Sequence, residues 1–470
     1  MRALLLISIF SASLHVQAAA PEWPQFRGPN SSGVAAKEKP PVEFNATNNL
    51  LWKVAVPKGL SSPCVAGDRI FLTAFENDKL YALCIDRRNG KELWRQEAPA
   101  GKAQEVHRSS SPAVATPVTD GNRVFVYYVP FGLVAYDFKG KEQWRKAVPI
   151  DMVMNGSGTS PAIIDDTVIL NVDQDQGQSF LIAVDARNGK TRWETPRSDF
   201  AAGSYTTPIL WKRGREEDVV VVGSLRVVGY DLRNGKEKWT ARVMTSVAVT
   251  PTPVLGGDYL YVMSRGVPPS AMGTFAAFAE KGDKDNDGKV SKSEAPPGYD
   301  GSIFRSLDRD NDGFITEKDW TVMTNFFAKG DSGLFALRAP GAGDITGTHV
   351  AWKATKGIAG ISTPLFYEGR IYAVQDGGRV TCWDAKTGKP LYEQERLKAD
   401  GDYYASPVAA NGHLYFASSR GNVTVARVGD SLDIAARNEL GESVLTTPAI
   451  VDNKIYVRSA DHLWAFGKVN

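Results

Sequence analysis

Residues 62–94 begin with Ser62-Pro63, run through the apolar stretches Arg69-Ile-Phe-Leu-Thr73 and Leu80-Tyr-Ala-Leu-Cys-Ile-Asp86, and end with a turn at Gly90 and an aromatic residue, Trp94. This cassette recurs along the chain, and one Ser/Thr-Pro pair marks each unit. The prolines of these pairs are Pro63, Pro112, Pro161, Pro208, Pro253, Pro364, Pro407 and Pro448. Self-similar units of roughly 40 to 45 residues with strand signals are typical of propeller blades. The sequence therefore predicts an all-β fold, an eight-bladed β-propeller.

The regular units share an aspartate and a glycine after an apolar strand, and an aromatic residue four positions after that glycine. The turns are Asp86/Gly90, Asp137/Gly140, Asp185/Gly189, Asp231/Gly235 and Asp384/Gly388, and the aromatic residues are Trp94, Trp144, Trp193, Trp239 and Tyr392. Aspartate can hydrogen-bond within its own turn, and glycine accepts a positive φ, so these pairs predict hairpin turns. The fixed offset places each ring on the outermost strand, where it can cover the seam to a neighbouring blade. We therefore interpret the rings as packing rather than as ligand contacts.

The cassette resembles the PQQ-like β-propeller repeat, which builds the blades of quinoprotein dehydrogenases and of the outer-membrane assembly protein BamB. The resemblance extends over nearly all of the chain after its first twenty residues. That family contains both enzymes and scaffolds that bind no quinone. The resemblance therefore implies a fold more specifically than it implies a function.

The first twenty residues have the features of a cleavable signal peptide. A positive start at Arg2 is followed by an apolar run to Phe10 and by small residues that end at Ala20. The apolar run is too short to span a bilayer. The first cysteine after it is Cys64, so we expect no lipid-attachment cysteine of the kind that a BamB-like lipoprotein carries. We predict a soluble exported protein, periplasmic or extracellular, without residues 1–20 and without a transmembrane segment.

The charge is nearly balanced, with 55 Lys and Arg against 53 Asp and Glu. This balance gives no electrostatic reason to expect nucleic acid or an anionic membrane as a partner.

The three cysteines are Cys64, Cys84 and Cys382. The repeat places Cys64 and Cys84 two strands apart, roughly 9 to 10 Å, which is too far for a disulfide. We expect the cysteines to be buried thiols.

Residues 21–49 form a predicted N-terminal hook segment that opens with Trp23-Pro-Gln-Phe-Arg-Gly28. This opening looks like the start of many exported PQQ-like repeat proteins, and we expect Trp23 and Phe26 to cover an exposed edge. Residues 50–470 are predicted to form the propeller. Its last unit stops one strand short, whereas residues 50–56 have the character of an outermost strand. We therefore predict that this N-terminal strand completes the eighth blade and closes the ring.

Blade five is longer than the other units because an insertion, residues 266–332, separates its second strand at Tyr259 from its third at Leu334. Two acidic loops in the insertion match the EF-hand calcium loop, whose ligands lie at positions 1, 3, 5, 7, 9 and 12. In the first loop these are Asp283, Asp285, Asp287, the backbone carbonyl of Lys289, Ser291 and Glu294. In the second loop they are Asp308, Asp310, Asp312, the backbone carbonyl of Phe314, Thr316 and Asp319. The sequence therefore predicts two calcium sites in a small α-helical insertion.

The second loop departs from the pattern at position 12, where Asp319 replaces the usual glutamate. We expect this site to be weaker or more tolerant of magnesium. Ala295-Pro-Pro-Gly298 interrupts the helix that would leave the first loop, which favours a compact, rigid module over an opening sensor. Val290 and Ile315, at position 8 of each loop, are expected to pair across a short two-stranded contact. Calcium either orders an exposed insertion or forms a calcium-dependent contact surface, and both roles are compatible with the sequence.

The insertion is expected to share a face with loops that join one blade to the next. These loops carry Glu105-Val-His107-Arg108-Ser109, Asn155-Gly-Ser157-Gly158, Tyr205 and Asp402-Tyr403-Tyr404, and they should converge near the axis. In PQQ-dependent alcohol dehydrogenases this face holds the quinone, a calcium ion, a catalytic aspartate and often a disulfide between adjacent cysteines. In this sequence no two cysteines are adjacent, and no catalytic aspartate or calcium-ligand set can be matched. His107, His349, His413 and His462 have no paired metal spacing.

These features favour a non-catalytic function, and no catalytic residue is assigned. We expect an exported scaffold that binds calcium through the insertion and a protein or polysaccharide through its loop face at the cell envelope. The alternative is a divergent quinoprotein oxidoreductase that binds PQQ and reduces an electron acceptor. A third class, a calcium-regulated adhesion module, would bind its partner in a calcium-dependent way.

Overall fold

The computed structural model describes residues 22–99, 103, 106, 110–129, 131–150, 153, 156–174, 177–197, 204–244, 249–266, 272–299, 301–328, 331–339 and 341–468. Within these ranges the strands form eight sheets of at least four strands each, the blades of a propeller, together with three α-helices. The predicted fold class, an all-β eight-bladed propeller, is confirmed. The predicted signal peptide, residues 1–20, lies outside the described residues. None of the helices in the described ranges is long and apolar enough to cross a membrane.

Blades one to four follow the repeat, while the first strand, β1 (Leu50–Ala55), belongs to the last blade. Blade one contains β2 (Cys64–Ala66), β3 (Arg69–Glu76), β4 (Lys79–Asp86) and β5 (Glu92–Glu97). Blade two contains β6 (Val118–Thr119), β7 (Arg123–Tyr128), β8 (Gly132–Asp137) and β9 (Glu142–Ala147). Blade three contains β10 (Ala162–Ile164), β11 (Thr167–Val172), β12 (Phe180–Asp185) and β13 (Thr191–Pro196). Blade four contains β14 (Ile209–Arg213), β15 (Glu216–Val222), β16 (Val227–Asp231) and β17 (Glu237–Ala241).

Blade five is divided by the insertion. Its strands are β18 (Val254–Gly256), β19 (Tyr259–Ser264), β22 (Gly333–Arg338) and β24 (Val350–Ala354). Between β19 and β22 lie α1 (Phe275–Gly282), β20 (Val290–Ser291), α2 (Gly301–Leu307), β21 (Phe314–Ile315) and α3 (Glu317–Ala328). A short strand, β23 (Gly343–Asp344), pairs in parallel with β17 and extends blade four.

The last three blades close the ring. Blade six contains β25 (Leu365–Tyr367), β26 (Arg370–Gln375), β27 (Arg379–Asp384) and β28 (Pro390–Arg396). Blade seven contains β29 (Val408–Ala410), β30 (His413–Ala417), β31 (Asn422–Arg427) and β32 (Asp433–Glu439). Blade eight contains β33 (Ala449–Val451), β34 (Lys454–Arg458) and β35 (His462–Phe466), and β1 is its outermost strand. The predicted closure by the N-terminal strand is confirmed, since Val54 pairs with Leu463.

The aromatic residue of a blade packs on the Asp-Gly turn of the next blade. Trp94 donates its Nε1–H to the Phe138 carbonyl at 3.1 Å, and its ring covers Gly140. The equivalent hydrogen bonds run from Trp144 to Ala186, from Trp193 to Leu232, from Trp352 to Ala385 and from Trp52 to Arg87. The expected role of these rings in covering seams is confirmed at blades one to three.

Trp239 does not follow this rule. Its Nε1–H donates to Asp218 of its own blade at 3.0 Å, and its ring lies on Gly229. Gly347, in the connection between β22 and β24 of blade five, has nothing within 4 Å of an added Cβ, so no ring lies on it, and β23 pairs beside Trp239 instead. Trp239 therefore does not pack on a neighbouring turn as the other rings do, although it is buried in a cluster that also contains Leu260 and Phe335 of blade five.

The hook segment crosses the inner edges of several blades. Trp23 is buried and forms an antiparallel bridge with Val65 on the innermost strand of blade one. Further hydrogen bonds or bridges join Pro24 to Thr119, Gln25 to Ile163, Asn30 to Leu210 and Val34 to Ala409. Trp23 therefore covers the inner edge of a blade, beside the propeller axis.

The cysteines are buried in the blades. Cys64 lies on β2, Cys84 on β4 and Cys382 on β27, and all three are free thiols. Burial raises the pKa of Cys84 and of Cys382 to about 12. A thiol with so high a pKa is poorly nucleophilic, so these side chains pack as small apolar groups.

Candidate functional site on the loop face

A ring of eight hydroxyl side chains surrounds the axis where the innermost strands begin. Each blade contributes one: Ser62, Thr116, Ser160, Thr207, Thr252, Thr363, Ser406 and Thr447. Seven of these hydroxyls accept a backbone N–H from the ring residue of the neighbouring blade, at N to O distances of 2.9 to 3.2 Å. The last of these bonds, from Thr447 N to Ser62 Oγ at 3.1 Å, joins blade eight to blade one. The Ser/Thr-Pro pairs thus tie the blades together around the axis.

The ring corrects the register of blade two. Thr116 Oγ1 accepts the Ser62 N–H at 3.0 Å, and Thr116 is followed by Pro117 and β6. The prediction that Pro112 marks this blade is therefore wrong, because Pro112 lies in the connection before the blade. Both prolines follow a serine or threonine, and only the closing of the ring selects the second.

The ring and the inter-blade loops enclose a central pocket of about 410 Å³. Gly156, Gly158, Tyr205 and Tyr404 line it, so these predicted loop-face residues converge at the axis as expected. Tyr403 does not, because it is buried and its hydroxyl donates to the Ala399 carbonyl at 3.0 Å. The predicted residues Glu105, His107, Arg108, Ser109 and Asn155 lie outside the described residues.

The described lining of the pocket is uncharged. Its apolar and aromatic lining includes Phe26 of the hook, Leu60, Ile361 and Leu445. The hook contacts residues that follow the ring in the innermost strands of blades one to four and of blade seven, so Phe26 approaches the pocket from the side opposite the loops. Of the described residues that line the pocket, none carries a charged side chain. The site therefore offers hydroxyl groups and apolar surface.

A fully buried ion pair braces the seam between blades three and four. Arg197 Nε donates to Asp173 Oδ1 at 2.7 Å, and Arg197 Nη1 donates to the Tyr230 hydroxyl at 2.6 Å. Burial opposes the charge, but the Asp173 carboxylate raises the pKa of Arg197 above its ordinary value. The arginine therefore stays charged and anchors the seam.

The two acidic loops of the insertion fold in the same way. Asp283 accepts the backbone N–H of Asp287 at 3.1 Å and of Gly288 at 3.0 Å. Asp308 accepts the corresponding N–H groups of the second loop, those of Asp312 and Gly313, at the same two distances. One carboxylate oxygen from each residue lies within 4.8 Å of the others in two sets: Asp283, Asp285 and Asp287, and Asp308, Asp310 and Asp312. Carboxylate oxygens grouped in this way suit a hard divalent cation.

Position 12 closes both loops by the same contacts. Glu294 accepts the Ser291 N–H at 2.9 Å and the Ser291 hydroxyl at 2.6 Å. Asp319 accepts the Thr316 N–H at 3.0 Å and the Thr316 hydroxyl at 2.5 Å. Hydrogen bonds from Ser291 lower the pKa of Glu294. The shorter Asp319 side chain thus reaches the place that Glu294 takes in the first loop.

The two loops meet through β20 and β21. Val290 pairs with Ile315, as predicted. At position 7, the Lys289 ammonium lies 3.6 Å from the centre of the Phe314 ring, so that the side chains of the two loops also touch. This contact joins the loops into one compact unit.

A residue of blade four packs into the core of the insertion. Leu225, in the turn between β15 and β16, is 7% exposed and lies against a cluster that includes Phe278, Phe304 and Trp320. Its φ of +69° is unusual for a leucine. Sequence reasoning missed this contact, because one apolar residue in a hairpin turn carries no distinguishing signal. The insertion therefore rests on blade four as well as being joined to blade five.

The chain matches the family model described as outer membrane protein assembly factor BamB over residues 34–117, 84–274 and 339–436. It is 27% identical over 220 residues to outer membrane protein assembly factor BamB of Moranella endobia (strain PCIT), a match that covers 46% of this chain and 51% of that protein. It is 30% identical over 149 residues to methanol dehydrogenase (cytochrome c) subunit 1 of Paracoccus denitrificans, covering 27% of this chain and 22% of that protein. The matched segments thus span about half, or less, of these relatives.

Among solved structures, BamB from Moraxella catarrhalis has the same fold. The TM-score is 0.55 at 14% identity, and the match covers 89% of this chain and 97% of that one. The family model extends over more than half of the chain, on both sides of the insertion. The chain therefore belongs to the family of repeat propellers that is described as outer membrane protein assembly factor BamB.

Proposed function

We propose that this chain is an exported, non-catalytic propeller scaffold that binds a protein or polysaccharide at the cell envelope. The binding surface is the face that carries the inter-blade loops and the insertion. The match to a family described as an outer membrane protein assembly factor carries this proposal, because that name describes a binding role. The described lining of the central pocket supports it, since hydroxyl and apolar groups suit binding.

We further infer that the insertion binds two calcium ions as an EF-hand pair. Oxygens of Asp283, Asp285, Asp287, Ser291 and Glu294, with the Lys289 carbonyl, would hold the first ion. Oxygens of Asp308, Asp310, Asp312, Thr316 and Asp319, with the Phe314 carbonyl, would hold the second. The grouped carboxylates support this inference, since a cation offsets their mutual repulsion. Extracellular sites of this type fill at millimolar calcium, which favours constant occupancy over signalling.

A divergent quinoprotein oxidoreductase is the second candidate, and the similarity to methanol dehydrogenase subunit 1 favours it. PQQ carries three carboxylates, which need cationic partners when they are buried. No cationic side chain occurs among the described residues that line the pocket. The described part of the pocket therefore does not fit PQQ, and we derive no redox step.

Two measurements test the scaffold proposal. In the first, the purified protein is titrated with PQQ in the presence of calcium and assayed for dye reduction with alcohols and sugars. We expect neither saturable quinone binding nor dye reduction, and dye reduction would overturn the proposal.

In the second measurement, a photo-crosslinking residue replaces Ile361, which is 40% exposed at the pocket, or Lys139, on an exposed turn of the opposite face. We expect a defined adduct in intact cells from position 361 and none from position 139.

A further inference from the structure

We infer that the central pocket binds a neutral saccharide, with the hydroxyl ring holding its polar groups. This inference deepens the proposed binding function and rests on it. Each ring residue is at most 3% exposed, yet seven of the ring hydroxyls line the pocket. They therefore face a cavity rather than bulk solvent.

The ring leaves its hydroxyl protons available. Seven hydroxyls use a lone pair to accept a backbone N–H, which leaves the O–H of each as a donor. No acceptor for these protons lies within hydrogen-bonding geometry in the part of the chain that the structure describes. Thr207 Oγ1 differs from the other seven ring hydroxyls, because among the described residues it neither accepts nor donates a hydrogen bond. For the seven ring hydroxyls that line the pocket, water or a ligand there is therefore the remaining hydrogen-bond partner.

The rest of the lining narrows the class of ligand. The described lining is uncharged, which favours a neutral ligand over an anionic one. Phe26, Tyr205 and Tyr404 present aromatic rings beside the hydroxyls. The negative face of an aromatic ring attracts the C–H groups of a sugar, while the hydroxyls bond its oxygens. A molecule with alternating hydroxyl and C–H surface matches both parts of this lining.

The size of the pocket limits how much of the ligand enters. Its volume of about 410 Å³ lies at the lower end of the range for small-molecule sites. It suits one or two sugar units, such as the end of a glycan, but not a folded partner. The loop tip of a protein partner is the competing occupant.

Thr207→Val tests the inference with little structural disturbance. The valine keeps the shape of the threonine and removes a hydroxyl that makes no hydrogen bond with the described residues. Thr191→Val is the matched control, because Thr191 is exposed on β13, away from the pocket. Calorimetric titration of the full protein and both variants uses maltose, cellobiose and chitobiose, with PQQ as the anionic comparison.

We expect saturable binding of at least one disaccharide, weakened about three- to tenfold by Thr207→Val and unchanged by Thr191→Val. Failure of all three disaccharides to bind would overturn the inference, and so would equal affinities in all three proteins. PQQ binding that weakens in Thr207→Val without any disaccharide binding would also overturn it. If the saccharide inference is refuted but position 361 still crosslinks to a protein, the scaffold proposal is unaffected.

Dye reduction with PQQ would refute the scaffold proposal whether or not a disaccharide binds.

Discussion

The indole ring of Trp144 lies on Gly189 of the next blade, so closely that a Cβ added to the glycine would fall 2.6 Å from Cε3 of the ring. Trp144 Nε1 also donates to the Ala186 carbonyl at 3.0 Å. Gly189 itself has a φ of +70°. The aromatic residue and the Asp-Gly turn are therefore two halves of one contact, which joins blades one, two, three, five and eight to the blade that follows each of them.

Gly189→Ala should destabilise the propeller strongly. Holding an alanine at a positive φ costs about 1 kcal/mol of folding free energy. Its Cβ must also displace the Trp144 ring, which costs about 1 to 3 kcal/mol more. Gly214→Ala is the matched control, because Gly214 has a φ of +59° but nothing within 4 Å of an added Cβ. Urea unfolding should show a loss of about 3 kcal/mol for Gly189→Ala and about 1 kcal/mol for Gly214→Ala. Equal losses would contradict a role for the ring contact.

Asp283→Ala combined with Asp308→Ala should abolish calcium binding and leave the main unfolding transition of the propeller in place. The two residues accept N–H groups within their own loops, whereas the blades are held by the seams and the hydroxyl ring. Calorimetric titration with calcium chloride gives the number of sites, and differential scanning calorimetry gives the transition.

Each single variant should lose one of the two sites. Asp258→Ala is the control, because Asp258 is exposed at the turn between β18 and β19 and belongs to neither loop. A double variant that still binds two ions would refute the assignment of the sites. A ring that no longer unfolds cooperatively would show that the insertion is integral to the propeller.

Leu225→Ala should loosen the insertion from blade four. The side chain is 7% exposed in the core of the insertion, so its truncation should cost about 2 kcal/mol of docking free energy. Limited proteolysis should then cut within residues 266–332 faster than in the parent protein. Val322→Ala, at a residue of α3 that is 45% exposed, should not change the rate. Equal rates for both variants would mean that Leu225 does not hold the insertion.

The repeat makes much of the fold readable from sequence. The closure of blade eight and the pairing of Val290 with Ile315 both follow from local patterns that recur at fixed spacing. Contacts that occur once in the molecule have no such signal. Leu225 is one apolar residue in a turn, and Thr116 competes with Ser111 for the same pattern. Which of the two faces the axis depends on closing the whole ring, and that is a property of eight blades together.

Glu442 should make part of the stability depend on pH. Burial opposes its charge, but Lys53 Nζ at 2.8 Å, Ser459 Oγ at 2.6 Å and His462 Nδ1 at 2.8 Å lower its pKa to about 2. The unfolded value is about 4.3, so this contribution is fully present above that pH and is lost as the pH falls through 2. The Tm difference between the parent and Glu442→Gln should therefore shrink between about pH 4.3 and 2. Glu280→Gln, at an exposed residue of α1, should show no difference at any pH.

Arg27 should be essential for holding the hook segment against blade six. The guanidinium is completely buried and donates to the carbonyls of Ser31, Ser32, Thr363 and Pro364, which joins the hook to blade six. It pairs with no carboxylate among the described residues, and burial lowers its pKa to about 9. Arg27→Met would leave buried carbonyls unpaired, and we expect guanidinium unfolding to show a loss of about 3 kcal/mol or more.

Arg233, an exposed residue of the turn between β16 and β17, provides the comparison for Arg27. Arg233→Met, where the side chain is 84% exposed, should change the free energy of unfolding by less than about 0.5 kcal/mol. Because Phe26 lies next to Arg27 and lines the central pocket, release of the hook should also open the pocket from the side opposite the loops. Binding of an environment-sensitive apolar dye should then rise in Arg27→Met and stay unchanged in Arg233→Met. A stable Arg27→Met variant with unchanged dye binding would show that the hydrogen bonds of the neighbouring hook residues hold the segment without this arginine.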